Sequence, residues 1–176
     1  MKRKFFRFAI LVLVVINILP AVPAAAADWE VGISSSSAVT AVPSSKPVDA
    51  EDTFRDKVFQ LINQERADHQ LGELKRTDTL DTMAGIRAKE SSVSFSHTRP
   101  NGMTPASLFK QYKLSYSSAG ENLAYGFNTP AELVEAWMQS PEHCSNILNS
   151  KFCCTGMGFY ENSDGAIYCV QIFQQP

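Results

Sequence analysis

Two strand-like segments near the C-terminus, residues 156–161 and 166–173, flank the four residues Asn162-Ser163-Asp164-Gly165. A cluster of this kind reads as a hairpin turn, because Asn, Asp and Gly tolerate the positive φ angles that a tight reversal needs. The upstream pattern is helical. Phe54, Val58, Leu61 and Ile62 recur at i, i+4, i+7 and i+8, with Thr53 and Asp56 as a capping signature and Gly72 as a stop. A second helix is expected from Asp78 to about Ser91, with Asp78 as its cap and Leu80, Met83, Ala84 and Arg87 on one side; Gly85 weakens it. A hydroxyl followed by Pro at the first helical position opens three more, at Thr104-Pro105, at Thr129-Pro130 and at Ser140-Pro141, the last running through Ile147. Helices plus an antiparallel hairpin make an α+β unit, with helices on both faces of a small, mainly antiparallel sheet.

The N-terminal quarter reads differently. Lys2, Arg3, Lys4 and Arg7 precede a 12-residue apolar run, residues 8–19, which contains Asn17 and ends at Pro20 before an alanine cluster, residues 24–27. A membrane span needs about 20 apolar residues, so residues 1–27 are expected to be a secretory signal peptide, cleaved after Ala26 or Ala27, which leaves no stable membrane span. Residues 28–51, rich in Ser, Pro and Ala, are expected to be a flexible linker, and residues 52–176 the folded domain. The whole chain has 16 Lys and Arg against 18 Asp and Glu; without the four basic residues at its start the count is 12 against 18. That balance offers no basic footprint for a phosphate backbone, so no nucleic-acid partner is expected.

Four cysteines, Cys144, Cys153, Cys154 and Cys169, in an exported chain suggest two disulfides. Cys153 and Cys154 are neighbours, with Cα atoms about 3.8 Å apart across a trans peptide, below the usual minimum of about 4.4 Å for a bridge. The two remaining pairings each tie Cys144 and Cys169 to that adjacent pair.

Of three histidines, His69 lies in the polar tail of the first helix and reads as a surface residue. His97 sits in an irregular segment, Phe95-Ser96-His97-Thr98, where no core packing calls for it. His143 falls in the first turn of the helix opened by Ser140, where the positive end of the helix dipole favours a neutral imidazole.

Five segments carry a resemblance: Leu61-Ile62-Asn63-Gln64-Glu65-Arg66; Phe95-Ser96-His97-Thr98; Ala119-Gly120-Glu121-Asn122-Leu123-Ala124-Tyr125-Gly126; Ala136-Trp137-Met138-Gln139-Ser140-Pro141-Glu142-His143 with Asn146-Ile147-Leu148-Asn149; and Gly156-Met157-Gly158 with Val170-Gln171-Ile172-Phe173. In this order they resemble the CAP superfamily of cysteine-rich secretory, antigen 5 and pathogenesis-related proteins, in its short bacterial form. The resemblance implies a three-layer α-β-α sandwich and a cleft lined by His97, Glu121 and His143. Larger members add a glutamate just after the Trp. Here Met138-Gln139-Ser140 follows Trp137, and Glu132, Glu135 and Glu142 each read as solvated or dipole-stabilised side chains.

Two imidazoles and a carboxylate suit a zinc-like ion with an open position, so His97, His143 and Glu121 are the expected metal ligands and zinc the expected cofactor. The expected role is that of a secreted, extracellular binding module, non-catalytic, taking a divalent metal or a lipid-like, small-molecule or envelope ligand. One alternative is a metal-dependent hydrolase or peptidase in which Glu121 activates water beside His97 and His143. The other is a structural component of a cell-envelope or spore layer.

Overall fold

The computed structural model describes residues 48–176. The expected signal peptide, residues 1–27, and the linker up to residue 47 lie outside the described residues. Helix α1 spans Val48–Asp68, so the last four residues assigned to the linker belong to it, and Thr53 lies inside the helix rather than capping it. No Gly or Pro interrupts residues 48–53. The chain leaves α1 through Gln70, whose φ is 60°, two residues before the expected Gly72 stop.

Strand β1, Lys75–Arg76, leads into α2, Asp78–Val93. The cap of α2 is Thr77, one residue earlier than expected; its hydroxyl accepts the Leu80 N–H at 3.3 Å. The helix expected at Thr104-Pro105 begins later, as α3, Ser107–Gln111, with no side-chain cap. Thr104 is taken up by a turn in which its carbonyl accepts both the N–H and the hydroxyl of Ser107. Strand β2 spans Ser118–Tyr125, and α4, Pro130–Gln139, opens as expected, with the Thr129 hydroxyl accepting the Glu132 N–H. Helix α5, Pro141–Ile147, is followed by the hairpin strands β3, Cys154–Glu161, and β4, Ile167–Gln175. Their turn is held by Asn162, whose side-chain oxygen accepts the N–H groups of Asp164 and Ala166, while Gly165 supplies a φ of 79°.

The sheet order is β1-β3-β4-β2, with β1 parallel to β3 and the other pairs antiparallel. Side chains alternate across each strand. Ala119 and Leu123 of β2 and Val170 and Ile172 of β4 pack with Leu80, Met83, Ala84 and Ala88 of α2 and with Leu108 and Phe109 of α3. Ala124, Met157, Cys169 and Phe173 face the other way, onto Val58 and Ile62 of α1, Leu133 and Trp137 of α4 and Ile147 of α5. Helices therefore cover both faces, and the expected α-β-α sandwich is the observed one.

All four cysteines are free thiols in the structure, and its geometry corrects the expected bridge from Cys169. Cys169 is fully buried and lies opposite Phe159, whereas Cys154 lies opposite Gln174, five residues further along β4. At about 3.3 Å per residue those positions are roughly 16 Å apart, well beyond the reach of a disulfide. The sulfurs that do meet are those of Cys153 and Cys154, at 3.2 Å.

Helix α2 can lie this close to β3 because Gly156 and Gly158 have no side chains. A Cβ at Gly156 would stand 2.0 Å from the Leu80 backbone, and one at Gly158 2.1 Å from that of Ala84. Gly156→Ala and Gly158→Ala are each expected to lower stability by at least about 3 kcal/mol, the upper end of ordinary overpacking costs. Gly85→Ala, mid-helix with nothing within 4 Å of its Cβ, should raise it by roughly 0.5–1 kcal/mol. Urea denaturation of the three variants checks both signs.

Candidate functional site

Glu121 and Asn122, adjacent on β2, point to opposite faces of the sheet, and each organises a different half of the site. On the α2 face, Glu121 is 2% exposed and both its carboxylate oxygens are engaged. Arg87 of α2 donates through Nε to Oε2 at 2.7 Å and through Nη2 to Oε1 at 3.2 Å. His97 Nδ1 lies 2.8 Å from Oε1. A carboxylate held by a guanidinium only accepts, so Nδ1 carries the proton of this contact. In the neutral ring the lone pair is then on Nε2, which is buried and has no hydrogen-bond partner.

Arg87 has no exposed surface, and its remaining donors fix the His97 segment. Nη2 also donates to the Ser96 carbonyl at 2.8 Å, and Nη1 to Glu90 Oε2 at 2.8 Å. Glu90 in turn is gripped by Arg99, with contacts of 2.6 to 3.1 Å, and Arg99 donates to the Ser107 hydroxyl. Charges therefore alternate along Arg99, Glu90, Arg87 and Glu121, ending at His97. Burial alone would lower the Arg87 pKa, but the hydrogen bonds and charges of Glu121 and Glu90 outweigh it and raise it above the ordinary value. Burial would likewise raise Glu90, and the two arginines outweigh that and hold its carboxyl below the usual range.

On the opposite face, Asn122 donates to the His143 carbonyl at 3.3 Å, and Asn146 donates to Asn122 Oδ1 and to the Glu121 carbonyl. His143, fully buried on α5, has its Nδ1 2.8 Å from the Ser140 hydroxyl. Ser140 begins α5 as expected, but its hydroxyl serves the imidazole and makes no cap bond to the backbone. His97 and Glu121 are thus joined directly, and His143 is attached to β2 from the other side. His69 is exposed, against the Glu65 carbonyl, and Glu132, Glu135 and Glu142 are exposed too, as read from the sequence.

As arranged, these residues do not fit a zinc site. Among the described residues no three His, Cys, Asp or Glu side chains converge to hold a metal ion. The one carboxylate of the trio is already neutralised by a buried guanidinium, which would also repel a cation placed beside it. An open groove of about 880 Å³ lies elsewhere, beside Phe127, Glu135, Asp164 and Tyr168. Arg87 is the residue that motif reading missed as part of the site. Its signal was present: a charged residue in phase with Leu80, Met83 and Ala84 requires a buried partner of opposite charge.

In comparison with known proteins, residues 59–173 match the model of a family described as "CAP: Cysteine-rich secretory protein family". A Bacillus subtilis (strain 168) protein named "Uncharacterized protein YkwD" is 37% identical over 120 residues, covering 67% of this chain and 46% of the relative. The chain therefore spans about half the length of that curated relative. An outer surface protein from Borrelia burgdorferi is similar in structure, with a TM-score of 0.64 and 26% identity over 72% of this chain and 93% of that one. A cysteine-rich secretory protein from Staphylococcus aureus subsp. aureus Mu50 gives a TM-score of 0.62 and 25% identity, covering 74% of this chain and 41% of that one.

Arg87→Met should cost about 3–5 kcal/mol, because it leaves the buried Glu121 carboxylate without its guanidinium. Arg87→Met/Glu121→Gln should cost less than the sum of its single variants, since a neutral amide needs no counter-charge; a double-mutant cycle by urea denaturation reads both. The Glu90 pKa is lower in the folded protein than in the unfolded chain, so its contribution is fully present above the unfolded value and lost as pH falls through the folded one. The stability gap between wild type and Glu90→Gln is expected to be widest near neutral pH and to close in acid, as unfolding midpoints across that range will register.

Proposed function

The chain belongs to the cysteine-rich secretory protein (CAP) family, and we propose that it is an exported, non-catalytic binding module whose contact atom is His97 Nε2. The observation that carries this reading is that nitrogen itself: a buried acceptor without a donor, at the end of a fully paired chain of charges. Buried polar atoms in folded proteins are almost always satisfied, and an unsatisfied one marks a place where a ligand or water completes the structure. The matching ligand presents a hydroxyl or N–H group to the imidazole, as a lipid headgroup, a saccharide or an amide-rich wall fragment does.

Export is supported by the basic start, short apolar run and alanine cluster of the first 27 residues, and by the structural likeness to an outer surface protein of Borrelia burgdorferi. A binding role is favoured over hydrolysis because Glu121, the base of the hydrolase alternative, is held by Arg87 at both oxygens and is in no position to take a proton from water. The structural-layer alternative needs no contact at His97 at all.

The test is calorimetric titration of the purified protein with two probes, soluble muropeptides and lysophosphatidylglycerol, on wild type, His97→Ala and His69→Ala. One probe is expected to bind wild type and His69→Ala equally and to lose at least about tenfold in affinity in His97→Ala, which corresponds to about 1.4 kcal/mol. Equal affinity in all three proteins, or no binding to any, would make the His97 and Glu121 pair a structural brace.

A further inference from the structure

Cys153 and Cys154 lie outside the site described above, and nothing in the binding role uses them. Cys154 is the first residue of β3, while Cys153 precedes the strand and escapes its alternation, so the two side chains can share one side of the chain. Their sulfurs stand 3.2 Å apart. Backbone contacts hold them there: the Cys153 N–H donates to the Gln174 carbonyl at 3.2 Å, and the Cys153 carbonyl accepts the Lys75 N–H at 2.8 Å. Cys153 is exposed and Cys154 half-buried, so an external reagent reaches the first more readily than the second. Cys169 is buried and too distant to compete.

We propose that Cys153 and Cys154 form a thiol–disulfide exchange site, which closes to a vicinal disulfide on meeting a low-molecular-weight disulfide and reopens on meeting the corresponding thiol. The Cys153 thiolate attacks one sulfur of the external disulfide, forming a mixed disulfide and releasing one external thiolate. Cys154 Sγ then attacks Cys153 Sγ, and the second external thiolate leaves. The new bond joins the two cysteine sulfurs, two electrons pass to the external disulfide, and the two cysteine protons end on the two released thiols. Burial, together with the hydrogen bond and charge of Cys153, pushes the Cys154 thiol of the reduced pair up to about 11, against a smaller opposing effect of Lys75, which keeps Cys154 protonated and leaves the first attack to Cys153; once Cys153 is in the mixed disulfide its charge no longer opposes ionisation of Cys154.

The short Cα separation that rules out a structural bridge favours an exchanging one. A disulfide spanning a single trans peptide is closed against a Cα distance of about 3.8 Å, and the strain makes it easier to reduce. Strained, exposed disulfides are the labile ones.

The experiment uses the full chain, reduced, desalted and exposed to glutathione disulfide, then quenched in acid, denatured and treated with N-ethylmaleimide before peptide mass spectrometry. Wild type is expected to lose two hydrogens within the peptide holding Cys153 and Cys154, with Cys144 and Cys169 alkylated, and to regain them on treatment with glutathione. Cys154→Ser should instead accumulate a persistent glutathione adduct on Cys153, and Cys153→Ser should lose the reaction. The Cys144→Ser/Cys169→Ser variant should close as wild type does, which guards against a folding defect in the other two. A stable glutathione adduct on wild-type Cys153, a bridge involving Cys144 or Cys169, or four unreacted thiols would each overturn the proposal.

Discussion

A guanidinium with no exposed surface has to be matched by carboxylates, and the way Arg87 is matched organises much of this domain. One side chain on α2 reaches Glu121 on β2, Glu90 on its own helix and the Ser96 carbonyl in the irregular segment that follows. A helix, a strand and a loop are thereby tied to a single planar group whose five donors have fixed directions. Removing one member would leave a charge stranded in the interior, which costs far more than the pair contributes in place. His97 holds its position because everything around it is over-determined.

The other fully buried arginine shows a different use of the same group. Arg66, near the end of α1, donates only to carbonyls: those of Gly72, Ile147, Asn149 and Phe152. Among the described residues no carboxylate bonds to it, and burial lowers its pKa below the ordinary value. Its partners include the C-terminal carbonyl of α5, where the helix dipole is negative and a cation is favoured. Arg66 therefore docks α5, with His143 on it, against α1, while Asn122 and Asn146 dock the same short helix against β2. One arginine sets each histidine, on opposite sides of the sheet.

The helices and the final hairpin were legible because they rest on periodicity and on turn and cap residues that act locally: Thr129, Asn162 and the apolar faces of α1 and α2. Strand β2 was hidden. Its six central residues are buried on both faces, so no alternation appears, and the Gly-Glu-Asn at its centre resembles a turn when its partners are unseen. Strand β1, at two residues, falls below any periodic signal. The Thr104-Pro105 start failed because Ser107 offered the Thr104 carbonyl two donors, a local competition that composition does not reveal. His97 and Glu121 were found as motif residues, but the arginine between them and bulk charge neutrality became visible only in three dimensions. The cysteines misled for a topological reason: an even count gives the number of possible bridges, whereas the register of β3 on β4 decides which sulfurs can meet.

The two glycines of β3 also act as a ruler. Gly156 meets the helix at Leu80 and Gly158 meets it at Ala84, so four helical residues, about 6.0 Å of rise, are laid against two strand residues, about 6.6 Å. The two lattices are nearly commensurate, and both run in the same direction. A slide of α2 by a single residue would bring a side chain down onto one of those bare stretches of backbone, so the helix can seat in one position only. Arg87 comes three residues after Ala84, and its height above the sheet edge is thereby measured off before any charge is in place. The ionic contacts are left to select a rotamer, and the length of the molecule at this point is set by where two hydrogen atoms stand in place of side chains.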